Sequence, residues 1–153
     1  MAAPTIAWKE LTGTTTGPTY TSIASLNFGT VTANAWSIPQ CIRPKVSTNS
    51  IQSAKWWLYD VVGSRSSASV AMGTAGGFKH RMTVTDTYVK PSGITASDTW
   101  GTESPESTTT GYAYSAVSDA TYGDFVYLAV KVNSAAGDGA HTDWGYQLKY
   151  SYT

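Results

Sequence analysis

The feature that most constrains this chain is the alternation in its last thirty residues. Phe125-Val126-Tyr127-Leu128-Ala129-Val130-Lys131-Val132 alternates in character, and Trp144, Tyr146, Leu148, Tyr150 and Tyr152 then recur at every second position. That period belongs to a β-strand, whose successive side chains point to opposite faces. The second run therefore puts its large apolar and aromatic groups on one face and Gly145, Gln147, Lys149 and Ser151 on the other. With the small, glycine-containing loop Asn133 to His141 between them, the two runs predict a long antiparallel β-hairpin closing the chain. Aromatic groups that fill one strand face specify packing or contact surface rather than chemistry.

Upstream, strand-like runs keep arriving and helix-like runs do not. They lie near Thr5 to Leu11, Thr19 to Phe28, Ala35 to Val46, Ala54 to Val62, Phe78 to Val84 and Gly111 to Ala116, which with the last two makes about eight. Gly, Pro, Ser, Thr and Asn clusters stand between them as turn punctuation, and no long stretch carries a helical stripe. Thr, Val, Tyr and Trp suit pleated, half-buried surfaces. The expected fold class is all-β: a single-domain antiparallel β-sandwich over 1–153, immunoglobulin-like or jelly-roll. A chain of 153 residues buries roughly 68–70% of its unfolded surface, enough for one core. Two stretches read as long loops, 64–77, rich in Ser, Ala and Gly, and 90–110, which holds Trp100. Loops of such length tend to carry function, and Trp100 is either folded over the domain edge or an anchor for a neighbour.

Charge and cysteine content exclude several classes. Ten basic residues balance ten acidic ones, and charged residues are 13% of the chain against a usual quarter or so. No positive excess is present to drive nucleic-acid binding. Low net charge gives little self-repulsion and suits a subunit meant to assemble. The single cysteine, Cys41, excludes an internal disulfide and a cysteine-based zinc site within one chain. Its neighbours Ile42, Pro44 and Val46 place it in a strand as a small packed side chain. The start, Met-Ala-Ala-Pro-Thr, lacks a signal-peptide pattern, and no apolar run approaches membrane-spanning length, so neither Sec-type export nor a membrane is expected.

Catalytic chemistry is thin. Neither His80 nor His141 sits in a nucleophile or metal motif, and no nucleophile elbow, phosphate loop, dinucleotide turn or zincin helix occurs. Asp138, His141 and Asp143 form the best metal-ligand grouping, but they lack the alternation of a calcium loop and read as a polar turn with Asp138-Gly139. The expectation is no enzyme, no catalytic residue, no metal and no cofactor. Ala54-Lys55-Trp56-Trp57-Leu58-Tyr59-Asp60 is the one stretch with ligand potential. Strand alternation turns Trp56 and Leu58 one way and Trp57 and Tyr59 the other, allowing a core face beside an aromatic platform of the kind on which sugars stack.

Ser25-Leu26-Asn27-Phe28-Gly29-Thr30-Val31, then Ile42-Arg43-Pro44-Lys45-Val46, then Ala54 to Tyr59 resemble the strand pattern of immunoglobulin-like domains. Similar stretches occur in structural proteins of tailed bacteriophage virions, where a W-L-Y-D type strand precedes a variable Gly/Ser-rich insertion and a closing tyrosine-rich hairpin. The resemblance covers about the central forty residues and, more loosely, the C-terminal hairpin. It implies a non-enzymatic virion protein, made in the host cytoplasm and present in many copies, foremost a capsid decoration or cement protein. A tail, neck or baseplate subunit is the alternative within that group, and a carbohydrate-binding β-sandwich module is the alternative of another class. The implied partners are the major capsid protein or tail proteins and copies of the chain itself, with no nucleic acid and no membrane. Ile6, Trp8, Trp57, Tyr59 and Trp100 are the expected interface residues, because aromatic anchors dominate such contacts.

Overall fold

The computed structural model describes residues 2–32, 34–60, 78–83, 88, 112–131 and 144–152; at 57–60, 78–83, 112, 113, 144, 145 and 147 the description is of the backbone alone. These residues form strands β1 (Thr5–Thr14), β2 (Gly17–Ser22), β3 (Gln40–Ser47), β4 (Ile51–Asp60), β5 (Phe78–Thr83), β6 (Tyr112–Tyr114), β7 (Phe125–Val130) and β8 (Trp144–Tyr152). The architecture is all-β, with no helix among the described residues, and every strand pairing is antiparallel. One sheet has the order β2-β1-β3-β7-β5 and the other β6-β4-β8.

The two sheets share a core. Ile42 and Val46 of β3 and Val126, Leu128 and Val130 of β7 pack with Ile51, Ala54 and Trp56 of β4, Tyr114 of β6 and Val117. Alternation along β3 and β7 turns the intervening residues to the opposite face, where Cys41, Phe125 and Tyr127 join Leu11 and Tyr88 in a second buried cluster. All six residues of β7 are consequently buried.

The expected closing hairpin is not formed. β7 pairs with β3 on one side and β5 on the other, whereas β8 pairs with β4 in the second sheet. The reason lies in β7: a strand apolar on both faces is stable only where both are covered, at the centre of a sheet, and both its edges are then occupied. Where β8's side chains are described, the alternation is kept from Tyr146 to Ser151, and Tyr152 is 43% exposed. Tyr146, Leu148 and Tyr150 pack half-buried against the shared core, while Lys149 and Ser151 are exposed.

Two upstream strands are shorter than the sequence pattern indicates. The segment expected to be strand as far as Phe28 leaves the sheet after Ser22. Asn27 Oδ1 accepts from Gly29 N–H at 2.8 Å and Gly29 adopts φ 66°, so an Asx turn replaces extended backbone. Ile23, whose N–H still donates to Trp8 O at 3.1 Å, and Leu26, Phe28 and Val31 pack on the core outside the named strands. The run from Ala35 is interrupted before β3 begins. Trp36 bridges Lys131 and Gln40 pairs with Leu128, leaving one extra residue on this side, where Pro39 brings no N–H to the ladder. Ser37 repairs the gap: its N–H donates to Val130 O at 2.7 Å and its Oγ accepts from Val130 N–H at 3.0 Å.

A bulge sets the facing of β4. Gln52 pairs with Ser151 but Lys55 pairs with Lys149, so one extra residue enters at Ser53, whose φ is 51°. Without it Ile51 and Trp56, five positions apart, would face opposite sides; with it both are buried in the shared core.

Candidate interaction surface

The described residues offer one organised polar and aromatic surface, on the face of β1, β3 and β7 that points away from β4. It is built around Arg43. The register sets Lys9 of β1 opposite Arg43 and Ala7 opposite Lys45, so three cations share this face. Lys9 Nζ donates to Ser22 Oγ. Arg43 is buried, and both its Nε and one Nη donate to the carbonyl of Gly123, at 2.8 and 2.6 Å. Its second Nη lies 3.5 Å from Tyr20 Oη, and its guanidinium stands 4.0 Å from the Phe125 ring centroid and 5.1 Å from that of Tyr122. Two neutral acceptors and two ring faces thus replace a carboxylate; no ion pair to Arg43 is present among the described residues. Delocalised charge makes arginine suited to such stacking.

Gly123 is the hinge of this arrangement. Its N–H donates to Pro44 O at 2.8 Å while its own carbonyl receives the Arg43 fork. A Cβ there would stand 2.6 Å from Tyr114 Oη and 2.9 Å from Pro44 Cγ, so glycine is required for the close approach. Tyr114 in turn donates to Asp124 O at 2.5 Å, and Asp124 Oδ2 accepts from Ser115 N–H at 3.2 Å. Next to this anchored unit Tyr20 and Tyr122 stack at 4.9 Å between centroids, 38% and 36% exposed, with Lys45 Nζ 5.6 Å from the Tyr122 ring. The accessible result is a pair of phenol rings held by a fixed guanidinium and an ammonium, fit for stacking and hydrogen bonding to a partner.

Reactive chemistry is not favoured among the groups whose titration is perturbed. Burial pushes the Cys41 thiol up to about 12, with Tyr127 and Arg43 opposing, so it stays protonated at neutral pH and is inert in the strand where it packs. Tyr146 is pushed up to about 12 by burial and then by Glu10. Tyr114 and Tyr88 are raised as well, again chiefly by burial. No cluster of metal-ligating side chains is found among the described residues, and no helix there is long and apolar enough to cross a membrane.

The expected interface residues fall in different places. Ile6 and Trp8 are half-buried on β1 and pack on the shared core of their own chain, with Trp8 edge-on to Tyr146 at 4.8 Å. Trp57 and Tyr59 lie on β4, where their backbones pair with Gln147 and Gly145. Trp56, their neighbour, is fully buried. Trp100, both long loops and the Asp138, His141 and Asp143 grouping lie outside the described residues, and His80 is placed on β5 by its backbone. Of the five, only Ile6 and Trp8 have described side chains, and both pack within their own chain. Sequence reasoning missed Tyr20, Tyr122 and Gly123, because Tyr20 sits in a polar strand and the contacts of Tyr122 and Gly123 are with residues far away in the chain. No known family, curated protein or solved structure matches this chain.

Proposed function

We propose that this chain is a non-enzymatic structural protein of a tailed-bacteriophage virion, a capsid decoration or cement protein assembling in many copies. On this reading it is a single β-sandwich of eight strands whose layers are the two sheets. The observation that carries the proposal is the Arg43, Tyr20 and Tyr122 surface, since a guanidinium fixed by two donations to one carbonyl and stacked on aromatic rings is contact chemistry. The resemblance of 25–31, 42–46 and 54–59 to immunoglobulin-like virion proteins gives the class, and the balanced charge suits dense packing of copies. A tail, neck or baseplate position draws on the same features. The partners on this proposal are the major capsid protein or tail proteins, and its place is the virion after synthesis in the host cytoplasm.

The test is incorporation. Purified protein is added to particles that lack it, and Tyr122→Ala and Trp8→Ala variants are compared after a thermal melt establishes folding. Tyr122→Ala is expected to fold and to lose incorporation at least several-fold, and Trp8→Ala to lose stability as well, because its ring packs on Tyr146. The second reading, a carbohydrate-binding module, is favoured by the exposed Tyr20 and Tyr122 pair beside Lys45. Failure of the parent protein to associate with particles, together with saturable oligosaccharide binding that Tyr122→Ala abolishes, decides for that reading.

A further inference from the structure

The sheets end in four strand edges that differ in how they are protected. Edge strands present unpaired N–H and C=O groups to other chains, and proteins guard them by brevity, proline, or charge. β6 is three residues long. β2 begins Gly17-Pro18, and β5 carries Lys79-His80-Arg81 within six residues. β8 has none of these guards: it runs for nine residues with Lys149 as its single charge, and no strand among the described residues pairs with its second edge. Lys149 and Ser151 are exposed, Tyr152 is 43% exposed, and Tyr146, Leu148 and Tyr150 are half-buried.

The sequence of this edge is chemically palindromic. Trp144-Gly145-Tyr146-Gln147-Leu148-Lys149-Tyr150-Ser151-Tyr152 reads alike in both directions about Leu148: aromatic, small, tyrosine, long polar, then leucine. We propose that β8 is a self-pairing edge, joining two copies of this chain antiparallel about a two-fold axis at Leu148. The register sets Leu148 against Leu148, Tyr146 against Tyr150, Trp144 against Tyr152, Gln147 against Lys149 and Gly145 against Ser151 of the second copy. The product is one continuous sheet ordered β6-β4-β8-β8-β4-β6. Isologous pairing of this kind closes on itself and stops at a dimer.

Alternative registers are worse. A centre at Lys149 opposes two ammonium groups and leaves Trp144 beyond the partner's end. Centring on Gln147 leaves Ser151 and Tyr152 unpaired. A one-residue slip reverses one sheet relative to the other and sets the aromatic row against the polar row. Only the Leu148 centre pairs all nine residues and matches apolar with apolar. The chain's balanced charge adds no long-range repulsion.

This inference goes beyond the virion reading and does not rest on it: a chain that dimerises alone yet never joins a particle keeps the one and loses the other. Sedimentation equilibrium over a range of concentrations is the primary measurement, and a reversible monomer–dimer equilibrium is expected. Gln147→Lys sets two like-charge pairs across the axis and Gln147→Glu two opposite ones. At 0.2–1 kcal/mol per cross-strand pair, the dimer Kd should rise roughly 2- to 30-fold in the first and fall by a similar factor in the second. Leu148→Cys should oxidise to a covalent dimer, because opposed antiparallel residues stand about 4.5–5.5 Å apart between Cα atoms, whereas Tyr146→Cys should not. Cys41 is fully buried and does not compete. If Leu148→Cys fails to fold, the two Gln147 variants carry the test. A parent protein that stays monomeric at all concentrations, or a dimer whose Kd moves with neither Gln147 variant, overturns the proposal.

Discussion

Among the described strands β7 and β8 come one after the other, and both are rich in apolar and aromatic residues, yet they end in opposite situations. β7 lies between β3 and β5 with every residue buried. β8 is held by β4 on one edge, and its inward residues Tyr146, Leu148 and Tyr150 remain half-buried. The difference follows from period. A continuous apolar run needs cover on both faces, which only a central strand of a covered sheet provides; a run of period two needs one covered face and tolerates an open edge. Two apolar strands in succession therefore need not pair with each other.

The largest effect expected from this contrast is at Leu128. It is fully buried in the shared core, so Leu128→Asp both empties a packed site, for which truncations of leucine lose about 2–5 kcal/mol, and buries a carboxylate without a partner. Against a typical stability of about 5–15 kcal/mol, this variant should show no cooperative melt. Leu148→Asp should still fold, with a loss of about 1–3 kcal/mol, because its side chain reaches solvent. Circular dichroism melts of the two variants measure the contrast. Equal melting temperatures would break it.

At Gly123 the contrast is sharpened by geometry. Gly123→Ala brings a methyl carbon into Tyr114 Oη and Pro44 Cγ and should cost about 1–3 kcal/mol, the usual range for overpacking. Tyr114→Phe removes the nearer of those atoms together with the hydrogen bond to Asp124 O, so the double variant should be less unstable than the sum of the singles. Denaturant unfolding of all four proteins completes the cycle. Strict additivity would mean that the two residues do not meet.

The legibility of the fold divides along the same line. Alternation pointed to strands rather than helices and set Lys149 and Ser151 on the face opposite Tyr146, Leu148 and Tyr150, because those assignments depend on neighbours in the chain. Which strand pairs with which depends on burial summed over both faces, and there the reading went astray: the polar turn before Trp144 implied a hairpin, while the two-sided burial of β7 had already taken both its edges. The Ser53 bulge was invisible, since Ser-Ala resembles any strand pair. The surface at Arg43 was not legible in the sequence. Its carbonyl acceptor comes from Gly123, eighty positions away, and no local pattern announces such a contact.

Alkaline pH should separate the two regions by a smaller amount. Cys41 lies on the covered face of β3 with its thiol raised from 9.0 to about 12. The folded form therefore holds its proton where the unfolded chain releases it. Its contribution is complete below about pH 9 and is lost as pH rises toward 12. At pH 10 the loss is on the order of 1 kcal/mol. Tyr146 acts in the same direction at higher pH, its ring being pushed up to about 12. Stability measured by urea unfolding should fall between pH 9 and 10 in the parent and stay flatter in Cys41→Ala, whereas Tyr146→Phe should flatten the curve only above about pH 10. Identical slopes in parent and Cys41→Ala would remove the covered thiol from the account.

The smallest effect is expected where the chain crosses from one sheet to the other. Thr48 stands in the turn between β3 and β4 with φ 84°, a left-handed conformation that a β-branched residue adopts at a cost. Its neighbours hold it there: Asn49 Nδ2 donates to Ala2 O, and Ser50 Oγ accepts from Asp119 N–H at 3.0 Å. Strain of this type costs about 1–3 kcal/mol, and the greater freedom of glycine in the unfolded chain returns about 0.5–1 kcal/mol of that. Thr48→Gly should therefore gain about 1 kcal/mol and raise the melting temperature by about 2–4 °C. Thr48→Pro, which cannot take a positive φ, should lose stability at the same position. A gain in the first and a loss in the second would show that the turn is fixed by its neighbours' contacts with Ala2 and Asp119 rather than by its own preference. If Thr48→Gly melted lower than the parent, the turn would owe its shape to the threonine itself, and the crossing between sheets would be locally encoded after all.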